Sequence, residues 1–354
     1  MVRPSFFVLM LVVAAGGGQG RKQQAANSTD AAQTPSALVP QAHDGSIGAV
    51  AHSAQVWSVP LRVSSVTPLP AQGFNFFGHP QCDGAGNMYF RTGMGYNSSQ
   101  VVRVSPAATD ALTYPLPPDF PSFYLFQVSR GGQVYLLLYS PDGPYLLTYK
   151  DDTSEPTRTK IDAPVGIEPR NFAVWSSGAV VLSGVYGDKA GELRGKPYAA
   201  EFSPAGKLRR SLVTEPYAGD SAKALLSLGA DAAASFDDRG YLYFLAGDEI
   251  LVLTETAGVE RRIKPPAPAA HLRMAILQAA KGQLAIWFHQ DNLKAGDRIK
   301  TYLEIIDPVS GDVMRMYEPE AELESRLPVC FTGESFLFLG RKEGQRVLFR
   351  ADVR

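Results

Sequence analysis

The sequence predicts an all-β chain, a six-bladed β-propeller of four-stranded antiparallel blades whose ring is closed by an N-terminal strand completing the last, C-terminal blade. Three observations carry this. A strand–turn–strand unit recurs from Cys82 to the C-terminus. Its copies lie 42 to 62 residues apart, with room for four short strands in each, which is the signature of propeller blades. A spare outer strand near the N-terminus answers a missing one in the last unit. Long stretches of helical periodicity are few, as expected of a β chain.

The first unit, Cys82 to Pro106, sets the pattern. Asp83-Gly84-Ala85-Gly86-Asn87 is a turn, because Gly and Asn tolerate positive φ. Met88-Tyr89-Phe90 follows as a short apolar strand. After a Gly-, Asn- and Ser-rich loop, Val101-Val102-Arg103-Val104 is the next strand, stopped by Pro106. The turn and second strand return at Gly132 with Val134–Leu137, Gly178 with Val180–Leu182, Gly240 with Tyr241–Phe244, Gly282 with Leu284–Trp287 and Gly333 with Phe336–Leu339. Third strands recur at Tyr145–Tyr149, Tyr198–Phe202, Ile250–Leu253 and Tyr302–Ile306. A more polar fourth strand then runs to a proline at 115, 164, 216, 265 or 319, as fits the exposed edge of a blade.

The ends of the repeat array explain each other. Thr67-Pro68-Leu69-Pro70 repeats as Tyr114-Pro115-Leu116-Pro117, so Val56 to Val66 is expected to be an outer strand without its own blade. The last unit ends on a third strand, Arg346–Ala351, and lacks a fourth. Pairing the two closes the ring and removes exposed edges. A seventh blade is the alternative, since Val181 and Tyr243 are 62 residues apart. That excess falls within Gly184–Gly195 and Ala218–Ala230, and Ala222–Leu228 reads as one short helix.

The motif Asp-Gly-x-Gly-Asn-x-Tyr followed by Val-x-Arg-Val-Ser-Pro resembles the repeat of NHL-type and TolB-like six-bladed β-propellers. The resemblance spans about residues 55 to 354, with the clearest motif in the first unit. It implies the architecture. Such propellers include binding scaffolds, lactonases and lyases, so it implies no catalytic residue.

The 354 residues carry a net charge of −1 and 10% aromatic residues. This gives no basic footprint for nucleic acid and no polybasic membrane signal. Residues 1–15 read as a signal peptide, with Arg3 before the ten-residue apolar run Phe6–Ala15, too short to span a bilayer. Residues 16–50 read as a flexible low-complexity tether, and 51–354 as the propeller. The expected location is therefore secreted or periplasmic, and the expected state a monomer.

Two cysteines in an exported chain raise the question of a disulfide. Cys82 and Cys330 take the same blade position in the first and sixth units, where the others have the apolar Val128, Val174 and Phe236 and the polar Gln278. Equivalent positions in neighbouring blades usually lie beyond the roughly 7 Å a bridge spans. Two buried free thiols are accordingly the expected state.

Loops before the innermost strand and between the second and third strands should share one face, the usual binding face of a propeller. It gathers His79, Tyr124, Arg170, Asn171, His271, Arg273 and Arg326 from innermost-strand starts, with Arg91 and His289 from the second-to-third loops. Asn75, Tyr139, Tyr186, Asp248, Asp291 and Arg341 lie nearby. The excess of Arg suits an anionic ligand, and the tyrosines a sugar; a protein partner is equally compatible. No histidine pair has metal-ligand spacing. Asp83 and the Asp237-Asp238 turn lack the calcium-loop pattern and are explained by turn chemistry. The expected function is a non-catalytic binding scaffold without a cofactor. The alternative is a lactonase- or lyase-like enzyme, for which His79, Asn171, His271 and His289 would have to converge on a divalent metal.

Overall fold

The structure, a computed structural model, describes residues 58–70, 76–92, 100–120, 122–123, 125–140, 142–151, 155–212, 234–246, 249–269, 272–290, 301–324 and 326–353. Two short strands, β1 (Ser58–Leu61) and β2 (Ser65–Pro68), precede six blades. Blade one is β3 (Phe76–Cys82), β4 (Met88–Thr92), β5 (Gln100–Val104) and β6 (Ala111–Tyr114); blade two is β7 (Leu125–Val128), β8 (Val134–Ser140), β9 (Gly143–Tyr149) and β10 (Thr157–Lys160). Blade three is β11 (Ile167–Val174), β12 (Val180–Tyr186), β13 (Pro197–Phe202) and β14 (Leu208–Ser211); blade four is β15 (Ala234–Phe236), β16 (Leu242–Ala246), β17 (Glu249–Thr254) and β18 (Gly258–Ile263). Blade five is β19 (Leu272–Ala280), β20 (Gln283–Gln290), β21 (Thr301–Ile306) and β22 (Val313–Pro319), and blade six is β23 (Leu327–Phe331), β24 (Ser335–Lys342) and β25 (Gln345–Asp352) with β2 as its fourth strand.

Within each blade the repeats are antiparallel meanders. The turn from first to second strand has one obligatory glycine: Gly86, Gly132, Gly178, Gly240, Gly282 and Gly333 hold φ between +71° and +88°, where an L side chain is strained. In two blades an aspartate completes that turn. Asp83 Oδ1 accepts the N–H groups of Ala85 and Asn87, both at 2.9 Å, while Oδ2 accepts the Tyr89 hydroxyl at 3.0 Å. Asp237 repeats this with the N–H groups of Arg239 and Tyr241 and the hydroxyl of Tyr243. The Asp–Gly signal and the tyrosine six residues on are thus one hydrogen-bonded unit.

The first strands pack on one another in a closed cycle: β3 on β7, then β11, β15, β19, β23 and back to β3. Six apolar clusters follow, each spanning one blade boundary. The middle strands are buried on both faces, which is why Val134–Leu138 and Leu284–Phe288 are unbroken apolar runs. Each such large side chain contributes about 2 kcal/mol by burial.

The N-terminal segment differs from the single strand expected over Val56–Val66. β2 lies antiparallel to β25, with Ser65 opposite Arg350 and Pro68 opposite Val347. β1 instead runs parallel to β22, a fifth strand on blade five, with Ser58 opposite Met316. Arg62, between them, ion-pairs with Glu320 at 2.7 Å where the chain passes from blade to blade. The long interval in blade three is taken up partly by a 3-10 helix at Asp188–Leu193. The helix expected at 222–228 lies outside the described residues.

The cysteines correct the expectation of free thiols. Cys82 and Cys330 form a disulfide with Cα atoms 5.6 Å apart. These two sit at the ends of the innermost strands β3 and β23, which pack directly on each other and bring the Cα atoms within bridging reach. The bridge closes a loop of 248 residues across the blade six–blade one seam, the same boundary that β2 flanks.

Candidate functional site

Among the described residues, four innermost strands break register partway along: between Phe77 and Gln81 in β3, Pro169 and Asn171 in β11, Met274 and Ile276 in β19, and Pro328 and Cys330 in β23. Three of these irregularities contain a proline, Pro80, Pro169 or Pro328, which cannot donate to a ladder. Bulges re-aim side chains and concentrate at functional sites. Here they carry His79, Arg170 and Asn171, all on the face selected from the sequence.

His79 and His289 come from opposite ends of the sequence and stand close enough to interact electrostatically. Burial holds the His79 pKa below its usual value, and the nearby His289 lowers it further, so the ring is neutral at neutral pH. Its Nδ1 is buried and has no hydrogen-bond partner. Asn171 is 6% exposed, and its Nδ2 is likewise buried without a partner. A buried polar group left unsatisfied costs about 1–3 kcal/mol, unless a ligand or water completes it.

Three described arginines of this face are engaged by the framework. Arg91 Nη2 donates to the Phe123 carbonyl at 2.8 Å, and its guanidinium lies 4.7 Å from the Phe123 ring centroid. Arg326 stacks 5.0 Å over Phe349 and donates from Nε to the Glu322 carbonyl. Arg170 pairs with Glu168 at 3.2 Å. Tyr124, His271, Asn75, Asp248 and Asp291, together with the side chain of Arg273, lie outside the described residues. Among the described residues, no three His, Cys, Asp or Glu side chains gather as metal ligands.

At the opposite end of the same strands the structure contains a cavity of about 350 Å³. Its wall takes Gln81 and Cys82 from β3, Gln127 and Val128 from β7, Ser235 and Phe236 from β15, Leu277 and Gln278 from β19, and Cys330 and Phe331 from β23. Several wall polar groups staple neighbouring first strands. Gln81 Nε2 donates to the Phe126 carbonyl and its Oε1 accepts the Val128 N–H; Gln278 Nε2 donates to the Val329 carbonyl; Ser235 Oγ accepts the Ala279 N–H. Arg130, in the turn after β7, reaches across the mouth. It ion-pairs with Asp238 of blade four and donates from Nη1 to the Ala279 carbonyl of blade five at 3.3 Å, while its own carbonyl accepts the Gly84 N–H of blade one.

Sequence reasoning missed this end. Arg130, Asp238 and Lys281 sit in segments legible only as turns, and Gln127 and Gln278 in segments legible only as strands. The signal that was available is a polar Gln at a position that is apolar in other blades, as at Gln278.

No protein family and no curated protein matches the sequence. Solved structures with similar backbones include virginiamycin B lyase from Staphylococcus aureus, at 15% identity and TM-score 0.46, covering 83% of this chain and 100% of that one. The calcium-binding protein regucalcin from Agrobacterium tumefaciens, at 14% identity and TM-score 0.46, covers 84% and 97%. A nidogen/laminin complex matches at 14% identity and TM-score 0.44, covering 71% and 81%. Likeness at this level carries no argument about what this chain binds or does.

Proposed function

We infer that this propeller is an exported, non-catalytic binding module that takes a small polar ligand, a sugar or organic anion, on the face where the innermost strands begin. The observation that carries this is the Asn171 amide: it is buried at a bulge, and its nitrogen lacks any partner. A ligand acceptor at that point would complete it, and the neutral ring of His79 offers a further hydrogen bond. Export is supported by the Cys82–Cys330 bridge, since disulfides persist in oxidising compartments. The chain is read as a monomer, and no nucleic acid or resident cofactor enters this reading.

The test is thermal stabilisation of the purified protein across a panel of mono- and oligosaccharides and small organic acids. A hit should be lost in Asn171→Ala and weakened in His79→Ala. A hit that survives both substitutions would place binding elsewhere and sink the reading.

The metal-dependent lactonase- or lyase-like reading rests on the approach of His79 to His289. Elemental analysis by mass spectrometry, after dialysis and again after adding calcium, zinc and manganese, separates the two. A stoichiometric metal lost in a His79→Ala, His289→Ala double variant would favour the enzyme.

A further inference from the structure

The geometry points to a second ligand site at the opposite end of the innermost strands, built for a small organic carboxylate with an apolar body. It is independent of the site around Asn171. Its walls divide by chemistry. Val128, Phe236, Leu277, Phe331 and the disulfide provide an apolar lining, and two cations, Arg130 and Lys281, stand at its border. The volume of about 350 Å³ lies within the range of small-molecule sites.

The two cations are held in an exchangeable way. The Arg130 guanidinium is fixed on one side by a backbone carbonyl, that of Ala279. Its other partner, Asp238, has a side chain 50% exposed to solvent. Lys281 is paired with Glu334, and both side chains are more than half exposed. Exposed pairs of this kind are worth only about 0–1 kcal/mol, so a competing carboxylate displaces the protein's own at little cost. A planar guanidinium already oriented by one carbonyl suits a carboxylate partner. The ligand's apolar body would then lie against Phe236 and Leu277, out of water. By contrast Asp83, also at the wall, is not available for exchange: its oxygens are filled by turn N–H groups, the Asn87 amide and the Tyr89 hydroxyl.

The probe is benzoate, titrated into the full chain and followed by saturation-transfer NMR and calorimetry, with neutral benzamide as the control. Benzoate should bind and benzamide should not. Arg130→Gln should weaken benzoate about tenfold or more. Asp238→Asn, which removes the internal competitor and spares the arginine, should tighten it. Circular dichroism and melting temperature check that both variants fold. Opposite effects of the two substitutions are the signature of a carboxylate exchanging for Asp238. Absence of benzoate binding, equal binding of benzamide, or a folded Asp238→Asn variant that binds no tighter would each overturn the assignment and leave a water-filled cavity.

Discussion

Glu304 is the residue whose replacement should tell most about how this fold tolerates charge. It lies in β21, opposite Ile286 on one side and Met316 on the other, is 2% exposed, and its Oε2 has no partner. Burial pushes its pKa from 4.5 up to about 8. Because the folded-state value is the raised one, its contribution to stability is complete below about pH 4.5 and is lost as pH rises through about 8. At 1.36 kcal/mol per pKa unit the full span is about 5 kcal/mol. Glu304→Gln removes the titration at nearly constant shape. Urea unfolding of wild type and variant at intervals from pH 5 to 9 should show the variant gaining on wild type by up to that amount as pH rises. Parallel curves over the whole range would refute the reasoning, because they would mean that the carboxyl is ionised and solvated in the folded state.

Other consequences are as direct. Reducing the disulfide, or replacing Cys82 and Cys330 by Ser, should cost up to about 5 kcal/mol, given a closed loop of 248 residues, and should appear as a lower melting temperature in reductant. Gly184→Ala would place a Cβ 2.1 Å from the Glu168 carbonyl oxygen, a backbone atom with no freedom to swing away. It should destabilise by about 1–3 kcal/mol or more, measured by chemical denaturation. Tyr243→Phe deprives Asp237 Oδ2 of a buried hydroxyl donor and should cost about 1–2 kcal/mol by the same measurement, with the strand pattern retained in circular dichroism.

What the sequence could disclose was what is local. The six turn glycines announce themselves because each is needed within five residues of a strand, and they place every second strand. The distances that decide disulfide formation are not local. Whether Cys82 meets Cys330 depends on how closely β3 and β23 approach at the axis, and nothing in either strand records that. The parallel docking of β1 on blade five was hidden for the same reason. The bulges that aim His79 and Asn171 have a trace in the sequence, Pro80 and Pro169, but a proline within an apolar segment signals a strand end as readily as a bulge. The two buried glutamates show a further limit. Glu201 and Glu304 sit in similar apolar third strands, yet Glu201 lies opposite Arg210 and contacts it at 2.9 Å, while Glu304 lies opposite Met316. Only the residue that the strand register sets opposite separates a carboxyl paired with a cation from one left without a partner.

The pairing of β2 with β25 also fixes an order of events during biosynthesis. β2 leaves the ribosome roughly 280 residues before β25 does. At 5–20 residues per second that is about 15–60 s during which it has no partner of its own. An orphan strand is a template for mispairing with another nascent chain. β1 and β2 are four residues each, and each carries a proline, Pro60 and Pro68. Their brevity and missing donors make them poor templates while they wait, and sufficient ones once blades five and six arrive.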